Sequence, residues 1–385
     1  MLNAKVIGIG AAGNKAAIAL VEQGVMDKND VILLNSTIKD IPVAYQDLAV
    51  CIEGSHKGCG KERNIANEMI MENLRNNKIA LDGILDKDDK MVIIVTSLEG
   101  GTGCGASTVI AKYFSDVLNA NVHLFAFAGF EEDVRGLKNT VDWFNELSEK
   151  YVVECISNRK FLKSCYNNKL KAEKAANNEF VSRIRILLGR TIVESEQNID
   201  DTDLYKLDMT KGFMTIETAN INKVKNVEEC NKILIEAMDN SKSLDVEATC
   251  KRIGVIVNVH EKEKDNIDYM FEAIKERYGA PFETFTHVQD VHEQETITFI
   301  ITGLKMPIDD VTETYNNYIA RMDQVDKSKD EFFEKSFSTD SDGFDMDDKK
   351  LDPDKILSNR AAFFGNTSKE VKTSKGTVSN IQDQF

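Results

Sequence analysis

The chain has 385 residues, 48 basic and 64 acidic side chains, and a net charge of −16. That length is too great for one compact core and predicts two domains with additional segments, for which the 42% hydrophobic content is sufficient. The acidic balance argues against direct binding to DNA, which needs clustered Lys and Arg against the phosphates, so any link to DNA is expected to run through a basic adaptor.

Ala4–Ile9 reads as a strand that ends in a glycine turn, Gly10-Ala11-Ala12-Gly13-Asn14, followed by a helix with apolar positions at Ala16, Ala19, Leu20 and Val21. Gly8-x-Gly10-x-x-Gly13 fits a dinucleotide-binding turn, whose partner is an acidic residue ending the next strand. The next strand, Val31–Leu34, ends instead in Asn35-Ser36-Thr37, and Asp30 stands at its other end. Ala49–Ile52 is a third, short strand leading into Gly54-Ser55-His56-Lys57-Gly58-Cys59-Gly60, and Glu62–Arg75 has helical spacing.

The apolar run Met91–Val95 is a buried strand, and it enters Ser97-Leu98-Glu99-Gly100-Gly101-Thr102-Gly103-Cys104-Gly105-Ala106-Ser107. A helical pattern leaves this run from Ala106 through Val109, Ile110 and Tyr113 to Leu118. Glycines at a strand-to-helix turn allow close approach of an anion to backbone amides, where the helix dipole favours negative charge. A tight turn without a ligand would use the same residues.

Val122–Ala128 is a fifth strand. Glu131 and Arg135 follow at helical i,i+4 spacing, which fits either a ligand site or a surface ion pair. Val134, Leu137, Val141, Phe144 and Leu147 mark an amphipathic helix, with Trp143 off the stripe as a packing residue. Val152–Ile156 is a sixth strand, and Asn158 sits in the turn after it. Six alternating strands and helices predict a doubly wound, Rossmann-like parallel sheet with the glycine loops at strand C-terminal ends.

Glu179–Glu196 predicts a helix of roughly 27 Å between two domains, with Asn177 or Asn178 at its start. It leads into Gln197-Asn198-Ile199-Asp200-Asp201-Thr202-Asp203, an Asp-rich turn. Residues 212–305 predict a second, smaller α/β domain, with a helix near Val227–Met238, a strand at Ile253–Val259, a helix near Ile267–Ile274, an alternating run Glu283–Val291 and a strand at Thr296–Thr302. A polar helix over 309–335 and a tail expected to be disordered complete the chain. The expected divisions are 1–176, 177–197, 198–211, 212–305, 306–335 and 336–385.

Seven cysteines without a C-x-x-C pair predict reduced thiols and a cytoplasmic protein rather than a disulfide framework. Five scattered histidines predict no protein-built zinc site. No apolar stretch is long enough to cross a membrane, and Met1–Lys5 leads directly into a strand, leaving no room for a signal peptide.

In their order, these motifs resemble the tubulin/FtsZ superfamily over about residues 1–305, with Glu99 in place of the first glycine of Gly-Gly-Gly-Thr-Gly-Ser/Thr-Gly and Cys104 in place of its Ser/Thr. Gly129 likewise stands where FtsZ has Pro before Phe. The resemblance implies a GTPase that binds GTP/GDP with Mg²⁺ through Gly10, Ala11, Ala12, Gly13, Asn14, Asn35, Gly100, Gly101, Thr102, Gly103, Cys104 and Gly105. It implies that Glu131 or Glu132 accepts from the ribose, that Arg135 approaches the phosphates, that Asn158 bonds the guanine, and that Asn177 or Asn178 reads its edge. Gly54–Gly60 sits where the family senses the γ-phosphate. Asn198-x-Asp200-x-x-Asp203 matches the catalytic loop that one subunit inserts over the nucleotide of the next, so the partner is a second copy in a head-to-tail filament. The polar helix and long tail are similar to the plasmid- and phage-borne TubZ branch, which implies DNA segregation through a basic, centromere-binding (TubR-like) adaptor on the tail. A cell-division FtsZ and, more remotely, an NAD-dependent oxidoreductase are the alternatives. Glu99, close to the expected phosphates, is expected to turn its side chain away.

Overall fold

In the computed structural model the described residues are 2–54, 58–81, 83–85, 91–147, 150–193, 195, 198–221, 226–244, 249–260, 281–290 and 294–338. The predicted helix near 267–274 and the tail after 338 lie outside them, as does the centre of the Gly54–Gly60 turn.

Six strands build the first half of one sheet: β1 Ala4–Ile9, β2 Val31–Asn35, β3 Ala49–Cys51, β4 Met91–Ser97, β5 Val122–Ala128 and β6 Val152–Ser157. They run parallel in the order β3-β2-β1-β4-β5-β6, the doubly wound arrangement that places ligands at strand C-terminal ends. β1, β5 and β6 are buried at every residue and β4 at all but Ser97, which accounts for their continuous apolar runs: helices cover both faces. Alternate residues divide between two cores. Ile7, Ile94 and Leu124 face α2 (Arg63–Arg75), α3 (Gly101–Asp116) and α4 (Val134–Glu146). Val6, Ile93 and Phe125 face α1 (Gly10–Glu22), α5 (Lys169–Leu187) and α6 (Asp201–Asp208). Trp143, fully buried, donates to Ser107 Oγ at 2.9 Å and locks α4 onto α3.

The sheet continues through β7 (Gly212–Asn220), which meets β6 at only two residue pairs, into an antiparallel half with β10 (Thr296–Leu304), β8 (Arg252–Val259) and, parallel to β8, β9 (Glu283–Asp290). α7 (Val227–Asp239) packs on this half. The last helix, α8 (Ile308–Ser338), begins within the first compact unit, Met1–Asp323. The second unit, Gln324–Phe385, is described only as far as Ser338, in helix. Among the described residues no helix is long and apolar enough to cross a membrane.

The long helix differs from expectation at both ends. It starts at an Asn168 cap, whose Oδ1 accepts from Lys171 N at 3.0 Å, and stops at Leu187. Asn177 and Asn178 are therefore mid-helix and cap nothing. The C-terminal stop is a Gly189 with φ +69°, with Gly189 N–H bonded to Ile186 O and Arg190 N–H to Arg185 O, both at 2.9 Å. That paired pattern ends helices at glycine. Its first two turns bury only Ala172 and Ala176, too small a stripe to show as periodicity.

Candidate nucleotide site

A cavity of about 210 Å³ opens at the C-terminal ends of β1, β4, β5 and β6. Ala11, Ala12 and Lys15 of α1 form one wall, and Glu173 and Asn177 of α5 face it. Ser97 and Glu99 close it on the β4 side, Phe127, Gly129 and Phe130 on the β5 side, and Asn158 after β6. Two helices begin beside it without side-chain caps, α1 behind Ile9 and α3 behind Gly100; α2, behind Glu62, is also uncapped, whereas α4, α5, α6 and α7 are capped by Asp133, Asn168, Asp200 and Asn226. The first-turn amides of α1 and α3 are thus left for a ligand, in the orientation that attracts anions.

The predicted loop residues divide by task. Ala11 and Ala12 border the cavity. Gly10, at φ +75°, backs onto the other glycine run: a Cβ there would stand 3.0 Å from Gly103 N. Gly13 lies under β4, where a Cβ would overlap the Val95 carbonyl, and Gly103 fits against Thr96 and Ile9. Gly105 is pressed on the Arg63 carbonyl, and Gly101 on Cys59 and Glu62. These glycines serve packing, and Gly100 alone in its run meets nothing nearer than Ser97 Oγ at 3.4 Å. Thr102 Oγ1 and Ser36 Oγ share a hydrogen bond at 3.0 Å, joining the β2 and β4 loops.

Several side chains expected at the ligand point elsewhere. α3 begins at Gly101, five residues before the expected Ala106, which turns Cys104 into the interior. Its thiol is fully buried, donates to Asn139 O at 3.4 Å, and is pushed up to about 12 by burial. Asn14 donates to Leu34 O at 3.2 Å, tying α1 to β2. Asn35 accepts from Ser36 N at 3.0 Å and donates to Asp40 at 3.3 Å. Glu131 sits before α4 at φ +59°, so the four-residue separation from Arg135 does not lie on one helix. Its carboxylate pairs with Arg159, and Arg135 pairs with Glu62 at 2.6 Å. Glu132, the alternative, pairs with Lys169. Asn178 accepts from Gln23 at 3.1 Å on the exposed side of α5, so Asn177 is the asparagine at the cavity. Asn158 Oδ1 is buried there without a protein partner.

Lys15, Phe127 and Glu173 line the cavity without having been site candidates in the sequence, and Ser97 and Phe130 lie within the motif runs but carry no assigned role there. Lys15 follows Asn14 in the glycine turn, and Glu173 is one turn before Asn177, a signal that becomes legible only once the helix is known to start at Lys169.

Glu99 and Gly129 form one feature. The Glu99 carboxylate crosses from the β4 loop to the β5 loop and accepts from Glu131 N at 2.9 Å. A Cβ on Gly129 would overlap it. Burial raises the Glu99 pKa, while the Glu131 and Phe130 amides pull it down. The side chain does turn to the neighbouring loop, yet it still borders the cavity. Gly129→Ala is expected to cost up to about 1 kcal/mol, because the obstacle is the far end of a flexible side chain and relief moves the Glu99 carboxylate off the Glu131 amide. In Glu99→Gly the same substitution meets no carboxylate, so a chemical-denaturation double-mutant cycle should show a coupling energy of about 0.5–1 kcal/mol. Strictly additive effects would separate the two residues.

Asp200, Asp203 and Asn198 lie away from the cavity. Asp200 Oδ1 accepts from Asp203 N at 2.9 Å and Asp203 Oδ2 from Asp200 N at 3.4 Å, a reciprocal cap on α6. Asn198 Oδ1 accepts from Ser195 N at 2.8 Å. The expected loop is therefore the N-terminus of an eight-residue helix. At its other end Asp208 binds His123, at the N-terminal end of β5, whereas the cavity lies at the C-terminal end of that strand.

Residues 3–166 match the Tubulin/FtsZ family, GTPase domain. Cell division protein FtsZ 1 of Pyrococcus woesei is 30% identical over 137 residues, 35% of this chain and 36% of that protein. The chain thus spans about a third of that relative's length. Cell division protein FtsZ of Aquifex aeolicus is 25% identical over 320 residues, 79% of this chain and 83% of that protein. In three dimensions the chain is similar to TubZ of Bacillus thuringiensis serovar israelensis in a GTPγS-form protofilament, with a TM-score of 0.70, 15% identity, and coverage of 86% of this chain and 94% of that one. The fold and the strand-end cavity accompany that match: residues 3–166 of this chain are similar to the GTPase domain of the Tubulin/FtsZ family.

Proposed function

We propose that the chain binds GTP in the strand-end cavity and hydrolyses it to GDP and phosphate in a head-to-tail filament of identical subunits. The observation that carries the reading is the cavity itself, between two uncapped helix N-termini and beside an unpaired asparagine acceptor. The uncapped amides suit the phosphates. Asn158 Oδ1, Glu173 and Asn177 suit the donors of a guanine edge, and Lys15 the negative charge of the ligand.

Among the described residues no group of three His, Cys, Asp or Glu is placed to hold a metal. A Mg²⁺ ion carried largely by the phosphates needs few protein donors, and the Ser36 and Thr102 hydroxyls, paired at 3.0 Å between the β2 and β4 loops, are the residues that would hold it. When bound, the ion would neutralise charge on the triphosphate.

Asp200 and Asp203 do not line the cavity, and the helix they open ends at Asp208, which binds His123 at the N-terminal end of β5. They are proposed to orient water at the site of the next subunit. A contact of that kind is heterologous and does not close, which gives a filament. The protofilament form of the similar TubZ supports this reading. Segregation of plasmid or phage DNA through a basic adaptor held by the tail is the finer proposal. The cell-division FtsZ reading is favoured instead by the sequence relatives, which are cell division proteins. Capture of a small basic DNA-binding protein by the full chain, against capture of a membrane tether, distinguishes them.

The test is GTP turnover per subunit against protein concentration. Turnover is expected to rise above a threshold and to fall on the order of a hundredfold in Asp203→Ala, with GTP affinity unchanged. A flat profile, insensitive to the substitution, rules out the shared site.

A further inference from the structure

The acidic segment is fastened from both ends by buried histidines. Ile199 is 3% exposed, and its N–H points inward, one residue before the exposed cap of α6. It donates to His287 Nδ1 at 3.3 Å. His287, fully buried on β9, has its Nε2 2.8 Å from Gln289 Oε1. Nδ1 must therefore be the acceptor and Nε2 the donor, a tautomer assigned from these partners.

Gln289 extends the same network. Its Oε1 also accepts from Val193 N at 2.8 Å, and its Nε2 donates to Thr191 O at 3.2 Å and Asn258 Oδ1 at 2.7 Å. Asn258 in turn donates to Thr296 Oγ1 at 2.8 Å. Two side chains on one face of β9 thus hold Thr191, Val193 and Ile199 ahead of α6, and β8 and β10 brace them. At the far end of α6, His123 binds Asp208 at 2.6 Å. An eight-residue helix held at both ends has little freedom to slide along its axis.

We propose that His287 is the positioning residue for Asp200 and Asp203: by accepting the Ile199 amide it fixes the register at which α6 presents both carboxylates. This rests on the reading that those carboxylates act in hydrolysis. A group misplaced by about an ångström loses much of its effect on a reaction, whereas GTP binding, which uses a cavity that neither carboxylate lines, does not depend on this register.

The test compares His287→Asn with His287→Gln in the full chain. The Asn Oδ1 occupies the place of Nδ1 and can accept the Ile199 amide. The longer Gln amide reaches toward the Nε2 side instead. Above the assembly threshold, His287→Asn is expected to keep turnover within about threefold of the parent chain, while His287→Gln loses on the order of tenfold or more in kcat at unchanged GTP affinity. Equal turnover of the two variants, with Asp203→Ala inactive, overturns the positioning role and leaves the hydrolysis reading standing. Full turnover in Asp203→Ala overturns both. Where His287→Gln does not fold, hydrogen exchange on the unmodified chain decides: the Ile199 amide is expected to be strongly protected beside the exposed Asn198, and fast exchange there ends the proposal.

Discussion

Arg183→Met is expected to lower the unfolding free energy by about 3–5 kcal/mol, because it removes one member of a buried ionic network and leaves its partners uncompensated. Arg183 is 1% exposed near the end of α5. Its Nη1 bonds Glu154 at 2.7 Å and Ser243 Oγ at 2.7 Å, its Nε bonds Glu179 at 2.8 Å, and its Nη2 lies 3.4 Å from Glu217. The guanidinium therefore ties α5 to β6 on one side and β7 on the other, across the two-pair junction between the halves of the sheet. Methionine fills similar volume, so the deficit reads charge rather than a hole. A cavity of about 500 Å³ borders Arg183 and Glu217; water admitted there would move the deficit toward the lower end of the range. A loss under about 1 kcal/mol would mean that the carboxylates find other partners.

The deficit should depend on pH, and its sign follows from the shift of Glu154. Burial raises the Glu154 pKa, outweighing the pull of Arg183 and His123 in the other direction. A raised carboxyl contributes stability that is full below its unfolded pKa and is lost as pH rises through the folded one. Removing Arg183 removes a lowering influence, so Glu154 is driven higher still. For His123 burial lowers the pKa, but Asp208 and Glu154 outweigh it and leave it raised in both chains, so its titration does not enter the difference between them. The Glu154 shift sets the sign: the variant should fall furthest behind the parent chain at mildly alkaline pH and regain ground on acidification. Denaturant titrations at the two pH values measure this, and a deficit equal at both would refute the assignment.

What the sequence made legible follows from how much each element depends on its neighbours. β1, β4, β5 and β6 are buried on both faces, so Met91–Val95 and Val122–Ala128 stand out as apolar runs whatever surrounds them. The amphipathic stripe of α4 is equally local. α5 was displaced because its first turns bury only alanines and its stop is a backbone event at Gly189. α6 went unseen because Asp-rich caps and Asp-rich turns share a composition, and only the reciprocal bonds between Asp200 and Asp203 tell them apart. At the site, backbone roles carried over and side-chain roles did not. A glycine turn after a strand announces where a ligand goes. Whether Glu131 or Glu99 borders the cavity depends on Arg159, on the φ of residue 131 and on the lack of a Cβ at residue 129. None of these is a property of a short motif. The buried partnership of His123 with Asp208 links residues 85 apart in sequence and leaves no local trace.

Gly105→Ala and Gly13→Ala are expected to leave little folded protein, and Gly100→Ala to fold as the parent chain does. The three residues belong to the same glycine-rich loops but meet different surroundings. At Gly105 a Cβ would overlap the Arg63 carbonyl and stand 2.9 Å from Ala66 Cβ, where α3 presses on α2. At Gly13 it would overlap the Val95 carbonyl and lie 3.0 Å from its carbon, where α1 crosses β4. Both obstacles are backbone inside regular elements, so relief requires moving a helix, at a cost at or above the roughly 3 kcal/mol upper end of ordinary overpacking. Gly100 has φ −84°, which any residue adopts, and open space beyond Ser97. Its substitution should change stability by less than about 1 kcal/mol while placing a methyl beside the uncapped start of α3. Circular dichroism and thermal unfolding report the first pair, and GTP affinity reports the third. If Gly105→Ala folds normally, the close α2–α3 contact is not a requirement of the fold. If Gly100→Ala binds GTP as tightly as the parent chain, the first amides of α3 are not where the phosphates rest.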